Sequence, residues 1–325
     1  MFIARQHYSL VVHVSSSVSV LIVSYRTPAL TVSAVKSCLS AHEIGEIIVV
    51  DNASGDQTLV LLRQLADARI RTVASDFNIG FGRAHNLAAR LATQPILLLL
   101  NSDAALTPDA MSGLIGEVAR QSGRCLAAPR LVDEDGQVQR SIGVLPAPSD
   151  LALRALGIVS LLRPLLRGAF LSALAHRSRL ATEYEVSRTA MHSLDTDMVS
   201  GACFAIGREA FLELGGFDER YFMYFEDADL CRRAARAGMA IRYVPSAVVT
   251  HVGGASSEGD YHYSPLYASS MRQYLEKWWG APGAALAILL LWLRLVGHAL
   301  VVHRGTGQAM AALRAALRPG EPAGR

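Results

Sequence analysis

The stretch that most constrains the fold is 95–103, which reads PILLLLNSD. Its apolar run, 96–100, is unbroken and stops at Asn101, Ser102 and Asp103. A short apolar run that follows proline and ends in polar residues is typical of a strand buried on both faces of a parallel sheet. Ligands of open α/β sheets bind at the carboxyl ends of such strands. Asp103 is therefore a candidate ligand of a divalent cation in a nucleotide site, or else a residue of a turn or helix cap.

Around this strand, short apolar runs alternate with segments in which apolar residues recur at helical spacing. Such alternation predicts a doubly wound α/β sheet. The predicted strands are 18–25, 46–51, 70–74 and 96–100, and the predicted helices between them are 29–40, 57–65 and 83–92. The turn at Gly80 and Gly82 lacks the full G-x-G-x-x-G pattern, which argues against a dinucleotide site.

A second set of elements is predicted after residue 197. The predicted strands are 198–206, 240–244 and 247–251, and the predicted helices are 208–214, 225–237 and 267–279. Glu226, Asp227 and Asp229 begin one of these helices, where the helix dipole favours their charged forms. An ionised carboxylate in a partly apolar cleft accepts a proton from a hydroxyl group, although acidic residues are also common at helix starts without any catalytic role.

His251 ends a predicted strand and is followed by two glycines. A histidine in this position is suited to bind a metal or a phosphate, and the alternative is a structural histidine. Asp195 and Asp197 have the spacing of a metal pair, but they precede their strand instead of ending it, so we do not assign them to the site.

Composition narrows the class of protein. The net charge is +3 over 325 residues, without an aromatic-rich basic patch, which argues against nucleic acid as a partner. The four cysteines form no C-x-x-C pair, so we expect reduced, buried thiols. Residues 1–17 lack a convincing signal peptide and are predicted to be an irregular leader. Residues 314–325 are predicted to be a disordered tail.

Two segments suggest contact with a membrane. Segment 151–182 has five arginines and no acidic residue, and is predicted to be a basic amphipathic insertion for an anionic membrane surface, or an ordinary insertion helix. Segment 281–302 is apolar, but its uninterrupted part is too short to span a bilayer. Trp278 and Trp279 beside Lys277 are typical of an interfacial anchor. We expect a helix that lies on or dips into the membrane, with a true span as the alternative.

Six segments together resemble the GT-A fold glycosyltransferases of family 2, in particular the bacterial rhamnosyltransferase-like branch. They cover about 18–110 and 197–257, in the order of the family. They read VSVLIVSYRT, IIVVDNASGD, NIGFGRAHN, LLLLNSD, SGACFAIGREAFLELGGFDERYFMYFEDADLCRR and HVGGAS. The resemblance implies a catalytic domain at 18–262, with a nucleotide-sugar half at 18–110 and an acceptor half at 197–257, followed by a membrane-associated helical segment at 263–313.

The resemblance also implies roles for single residues. Those expected to bind the nucleotide sugar are Ser24, Tyr25, Asp51 and Asn52 on the nucleoside, and Asn78, Gly80, Arg83 and Asn86 on the diphosphate and sugar. Asp103 would bind Mg2+ or Mn2+, with Asn101 and Ser102 completing its motif where the family has D-x-D. His251 would help to hold the metal or the diphosphate. Asp227 would be the general base, and Glu226 would assist it.

The implied reaction is inverting transfer of a sugar to an acceptor hydroxyl. The donor would be dTDP-L-rhamnose or another dTDP- or UDP-sugar, and the acceptor a lipid-linked sugar or polysaccharide at the cytoplasmic face of the cell membrane. The oligomeric state is left open. Two alternatives are a sugar-1-phosphate nucleotidyltransferase and a non-catalytic polysaccharide-assembly subunit. The first needs a glycine-rich phosphate loop after the first strand, which Tyr25-Arg26-Thr27-Pro28 does not provide, and the presence of Asp227 argues against the second.

Overall fold

The computed structural model describes residues 17–148, 151, 186–253, 264–301 and 314. The leader up to residue 16, the basic insertion apart from Leu151, and the tail beyond residue 314 lie outside these residues. The strands are β1 (Val18–Ser24), β2 (Ile44–Asp51), β3 (Ile70–Ala74), β4 (Ile96–Asn101), β5 (Ala104–Leu106), β6 (Cys125–Val132), β7 (Ile142–Gly143), β8 (Leu194–Asp195), β9 (Met198–Val199), β10 (Cys203–Gly207) and β11 (Ala240–His251). The helices are α1 (Pro28–Leu39), α2 (Thr58–Gln64), α3 (Phe81–Leu91), α4 (Pro108–Arg120), α5 (Arg208–Glu213), α6 (Glu226–Arg236) and α7 (Pro265–Val301).

The main sheet has the strand order β3-β2-β1-β4-β10-β6-β11-β5, and β8 pairs with β11. Strands β1 to β4 are parallel, whereas β10 runs antiparallel to both β4 and β6. The apolar runs of β1, β2 and β4 are buried because helices cover both faces of the sheet. On one face Ile22 packs with Val35 and Leu114, and on the other Leu21 packs with Ala84. This arrangement confirms the α/β sheet predicted from the alternation.

Two predicted strands differ from the structure. The predicted strand 198–206 is two strands, β9 and β10, because a turn around Gly201 separates them. The predicted strands 240–244 and 247–251 are one strand, β11, whose register with β6 shifts between Val244 and Val248. Pro245 lies within this shift, where its missing N–H costs the ladder no hydrogen bond.

Helix α7 consists of two segments that meet at Gly280, where the backbone is not helical (φ 66°, ψ −156°). Leu275 in the first segment and Leu290 in the second belong to one buried cluster with Tyr221 and Phe225. Among the described residues no helix is both long enough and apolar enough to cross a membrane.

Two of the three residues predicted to form an interfacial anchor, Lys277 and Trp278, have partners within the protein. The ammonium group of Lys277 pairs with Asp218 and Asp229, and the indole N–H of Trp278 donates to Asp229. These two side chains therefore join α7 to α6.

The four cysteines are free and buried, as predicted. Burial raises the pKa of Cys38, Cys125 and Cys231 to about 12, and it also raises the pKa of Cys203. Buried thiols of this kind are unreactive at neutral pH.

Candidate active site

The carboxyl ends of three neighbouring parallel strands form one edge of the site. Ser24 at the end of β1 is in register with Asp51 at the end of β2, and Val23 is in register with Asn101 at the end of β4. A cavity of about 160 Å³ opens at this edge. Its lining residues are Val23, Tyr25, Asn52, Asn78, Gly80, Phe81, Asn101, Ser102, Asp103, Phe222, Met223 and Leu266. Seven of the predicted site residues therefore line a single cavity.

The loop before α3 is held by a short hydrogen-bond network. The Asn52 side chain donates to Asn78 Oδ1 (2.8 Å) and accepts from the N–H of Ile79 (2.9 Å). Gly80 follows at φ 86° and ψ 168°, a conformation that is almost exclusive to glycine. These contacts fix the loop that leads into α3 against the carboxyl end of β2.

Ser24 and Asp51 support the cavity from behind. The Ser24 hydroxyl is fully buried and lies 2.7 Å from the Thr31 hydroxyl in α1. Asp51 is also buried, and its carboxylate accepts from the N–H of Ser54 (3.3 Å). Neither residue lines the cavity, whereas Tyr25 does.

Arg83 and Asn86 are placed differently from the expectation. The Asn86 amide donates to the carbonyl of Phe217 (2.9 Å) and accepts from its N–H (2.8 Å). The Arg83 guanidinium donates to the carbonyl of Glu219 (3.0 Å). Neither side chain lines the cavity, and both attach α3 to the loop that precedes α6.

Asp103 lines the cavity and is in contact with His251, which does not line it. His251 Nε2 lies 3.4 Å from Asp103 Oδ1 and 3.4 Å from Asn101 Nδ2. On the other ring edge, His251 Nδ1 lies 2.9 Å from Gln139 Oε1, while Gln139 Nε2 donates to the His251 carbonyl (2.7 Å). Gln139 therefore orients the His251 ring, so that Nε2 faces Asp103.

This donor set fits a divalent cation. His251 Nε2 and a carboxylate oxygen of Asp103 face each other at 3.4 Å, and both are atoms that bind divalent metals in proteins. The Oδ1 atom of Asn101 is buried beside them and has no hydrogen-bond partner among the residues that the structure describes. No cluster of three histidine, cysteine or acidic side chains suited to a metal occurs in the described part of the chain. Mg2+ commonly takes one or two protein ligands and completes its shell with substrate phosphates and water.

The acidic turn before α6 has an unusual backbone. Tyr224 and Phe225 both adopt the left-handed region, at φ 71° and φ 66°. Such residues are strained unless their surroundings hold them, and they cluster at functional sites. The carbonyl of Phe222, just before this turn, accepts from the N–H of Phe81 (2.9 Å). This bond joins the turn to the start of α3.

Glu226 and Asp227 have different surroundings. Burial, and then the neighbouring Asp227 charge, raises the pKa of Glu226 well above its ordinary value, and its Oε2 atom has no hydrogen-bond partner. Burial also raises the pKa of Asp227, but the N–H groups of Ala228 (2.8 Å) and Gly201 (3.2 Å) oppose this by stabilising its charged form. Of the two, Asp227 is therefore the better candidate for the ionised group, and Glu226 for a neutral one.

Sequence reasoning missed several residues of the site. Gln139, which orients His251, lies 112 positions away in a segment without a motif. Phe222 and Met223, on the apolar side of the cavity, were included in a quoted motif but were given no role, and Leu266 beside them lies outside the quoted motifs. Gly201 was included in a quoted motif, but its N–H contact with Asp227 depends on the unpredicted turn between β9 and β10.

Known proteins resemble the chain over most of its length. The model of the "Glycosyltransferase like family 2" matches residues 16–264. An N-acetylglucosaminyl-diphospho-decaprenol L-rhamnosyltransferase of Mycobacterium tuberculosis (strain CDC 1551 / Oshkosh) is 31% identical over 259 residues, which cover 73% of this chain and 77% of the relative. Rhamnosyltransferase WbbL of Escherichia coli (strain K12) is 40% identical over 55 residues, covering 17% of this chain and 21% of the relative.

Solved structures share the fold at low sequence identity. GalNAc-T7 with UDP, GalNAc and Mn2+ has a TM-score of 0.58 and 17% identity, over 82% of this chain and 49% of that chain. The mannosyltransferase PcManGT of Pyrobaculum calidifontis, in complex with GDP-Man and Mn2+, has a TM-score of 0.53 and 18% identity, over 93% and 86%. The family match and the Mycobacterium relative establish that this GT-A fold protein belongs to glycosyltransferase family 2, with rhamnosyltransferases among its relatives.

Proposed function

We propose that the protein is an inverting glycosyltransferase that uses Asp227 as its general base. The observation that carries the proposal is the position of this carboxylate. Gly201, whose N–H donates to Asp227 (3.2 Å), lies against both the Asp227 side chain and the ring of Phe81. Phe81 is itself part of the cavity wall, so an acceptor hydroxyl bound beside the cavity would be within reach of the base.

The residues divide the reaction between two sides of the cavity. Tyr25 and Asn52 would bind the nucleoside end of the donor, since they follow the ends of β1 and β2, and Asn78 and Gly80 would bind its diphosphate and sugar. Asp227 would take the proton of the acceptor hydroxyl while its oxygen attacks the anomeric carbon, and the nucleoside diphosphate would leave from the opposite face. Glu226, whose pKa is raised, would stay protonated beside it and limit the negative charge around the acceptor.

Asp103 and His251 would hold the divalent metal, Mg2+ or Mn2+. When bound, the ion would supply Lewis-acid stabilisation of the leaving diphosphate. The Gln139 side chain keeps Nε2 of His251 directed into this site. The Mn2+ named for GalNAc-T7 and for PcManGT supports the choice of ion.

The proposed donor is dTDP-L-rhamnose, and the proposed acceptor is a lipid-linked sugar of a cell-wall or surface polysaccharide. The Mycobacterium relative, a rhamnosyltransferase of N-acetylglucosaminyl-diphospho-decaprenol, supports both parts. The proposal assigns 18–262 to the catalytic domain. It assigns 263–313 to a segment on the cytoplasmic face of the membrane, for which the half-exposed side chains of Leu289 and Trp292 are suitable.

The experiment that tests the reaction measures release of nucleoside diphosphate from a panel of nucleotide sugars. It is run with and without Mg2+ or Mn2+, and with membrane extract as the acceptor source. Asp227→Asn is the test variant, and Asp197→Asn, an exposed carboxylate, is its matched control. We expect metal-dependent turnover of one donor that is lost only in Asp227→Asn. Equal turnover of Asp227→Asn and wild type would contradict the base assignment, and release of pyrophosphate would indicate a nucleotidyltransferase.

A further inference from the structure

The first segment of α7 packs directly on the strained turn that precedes the catalytic carboxylates. Ser270 Oγ donates to the carbonyl of Met223 (2.7 Å). The rings of Tyr267 and Tyr274 lie 5.1 and 5.3 Å from the ring of Phe225, which is buried. Contacts from α7 therefore reach the left-handed backbone of this turn, which is a conformation that its side chains do not favour.

A buried ionic network then attaches α7 to α6. Asp229 is completely buried, and its Oδ2 accepts from Arg233 one helical turn later (2.7 Å). Its Oδ1 is bound from α7 by the Lys277 ammonium (2.6 Å) and by the indole N–H of Trp278 (3.0 Å). Lys277 also bridges to Asp218 (2.8 Å), so one ammonium group joins α7, α6 and the loop that leads into α6.

Asp229 follows Asp227, the proposed base, by two residues on the same helix. From outside α6, the backbone N–H of Gly201 donates to the Asp227 carboxylate over 3.2 Å, which is long for such a bond. A small shift of α6 would therefore break this contact. We propose that Lys277 is a positioning residue for catalysis, which holds α6 and the turn before it so that Asp227 faces the acceptor. This inference rests on the proposed role of Asp227 as the general base.

The alternative is that Lys277 only stabilises the fold. Nucleotide binding distinguishes a positioning role from a purely structural one. The residues proposed to bind the nucleotide follow β1, β2 and β4, whereas Lys277 contacts α6. Loss of a positioning residue should therefore lower kcat and leave nucleotide affinity unchanged, whereas partial unfolding should lower the number of binding sites.

The test uses Lys277→Met, with Lys277→Arg as the conservative variant. The only other lysine of the chain, Lys36, is exposed on α1, so Lys36→Met is a matched control for loss of a lysine charge. Calorimetric titration with the nucleoside diphosphate gives the dissociation constant and the number of sites, and kcat is expressed per site. Trp278→Phe, which removes one donor to Asp229 and keeps an aromatic ring, serves as the second variant if Lys277→Met does not fold.

We expect Lys277→Met to lower kcat per site by about 10- to 100-fold, the range for small displacements of a catalytic group. The dissociation constant should stay within about twofold, Lys277→Arg should recover much of the loss, and Trp278→Phe should show a smaller loss of kcat per site. The inference is overturned if Lys277→Met keeps the wild-type kcat per site. If Lys277→Met does not fold, a wild-type kcat per site in Trp278→Phe overturns it. The inference is also overturned if the loss of activity is fully explained by a smaller number of nucleotide-binding sites. If Asp227→Asn keeps wild-type kcat, the proposed base is what fails instead.

Discussion

Gly80 provides the sharpest test of the link between the donor loop and the acidic turn. Its backbone lies at φ 86° and ψ 168°, and a Cβ atom added there would lie 2.5 Å from the carbonyl oxygen of Phe222. That oxygen is the acceptor for the N–H of Phe81 (2.9 Å). Gly80→Ala therefore combines backbone strain with displacement of a hydrogen-bonded carbonyl group.

The expected loss follows from these two contributions. Backbone strain of this kind costs about 1–3 kcal/mol. Loss of the hydrogen bond adds about 0.5–1.5 kcal/mol. We expect Gly80→Ala to lower the free energy of unfolding by about 2–4 kcal/mol, measured by urea denaturation followed by circular dichroism.

Gly55→Ala is the matched control. Gly55 also has a positive φ, 67°, but a Cβ atom there would meet nothing within 4 Å. Only the conformational cost of about 1–2 kcal/mol remains at this position. If both variants lose the same free energy of unfolding, the contact with Phe222 does not contribute to stability. Our account of how the Gly80 loop is linked to the turn before α6 is then wrong.

Three further predictions concern the carboxylates and the histidine. Because the pKa of Asp227 is raised and a base must be ionised, kcat/KM should rise with pH through a value above the ordinary pKa of an aspartate, as a pH–rate profile would reveal. Gln139→Leu should weaken Mn2+ binding, measured by calorimetry with nucleoside diphosphate present, by about 10- to 100-fold, and the exposed Gln137→Leu should not. Because the folded state binds the Glu226 proton more tightly than the unfolded state, stability falls as pH rises from the unfolded pKa to the folded one. Glu226→Gln should therefore raise Tm at pH 8 relative to wild type, and an unchanged Tm would refute the burial argument.

The donor half of the fold was predictable because its signals are local. The run 96–100 lies in β4, which ends at Asn101, and the alternation with α1 and α3 gave the parallel order of the first strands. Burial on both faces gives such strands a continuous apolar sequence. The polar residues at their ends then face the same edge of the sheet. The register of these strands brings the residues at their ends to one edge of the sheet.

The rest of the site depends on contacts that no local pattern contains. Gln139 reaches His251 across 112 residues, and Ser270 reaches Met223 across 47. Lys277 was interpreted from its tryptophan neighbours as a membrane-interface residue, although it is an internal partner of Asp229. Asn86 lies in a motif that resembles the donor-binding segments, yet its amide binds the backbone of Phe217. In these cases packing decides the role, and residue type together with spacing does not.

The two halves of the site therefore differ in how their geometry is maintained. The donor half is fixed by the sheet, since Asn52, Asn78 and Asn101 follow strands whose register allows little movement. The other half consists of α6, which carries the proposed base Asp227, and the turn before it. It is held by α7 through Ser270, Lys277 and aromatic rings. The outer surface of the same helix carries exposed Leu289 and Trp292. If that surface contacts the membrane, as we propose, a lipid-linked acceptor and the base that activates it would be positioned by one element.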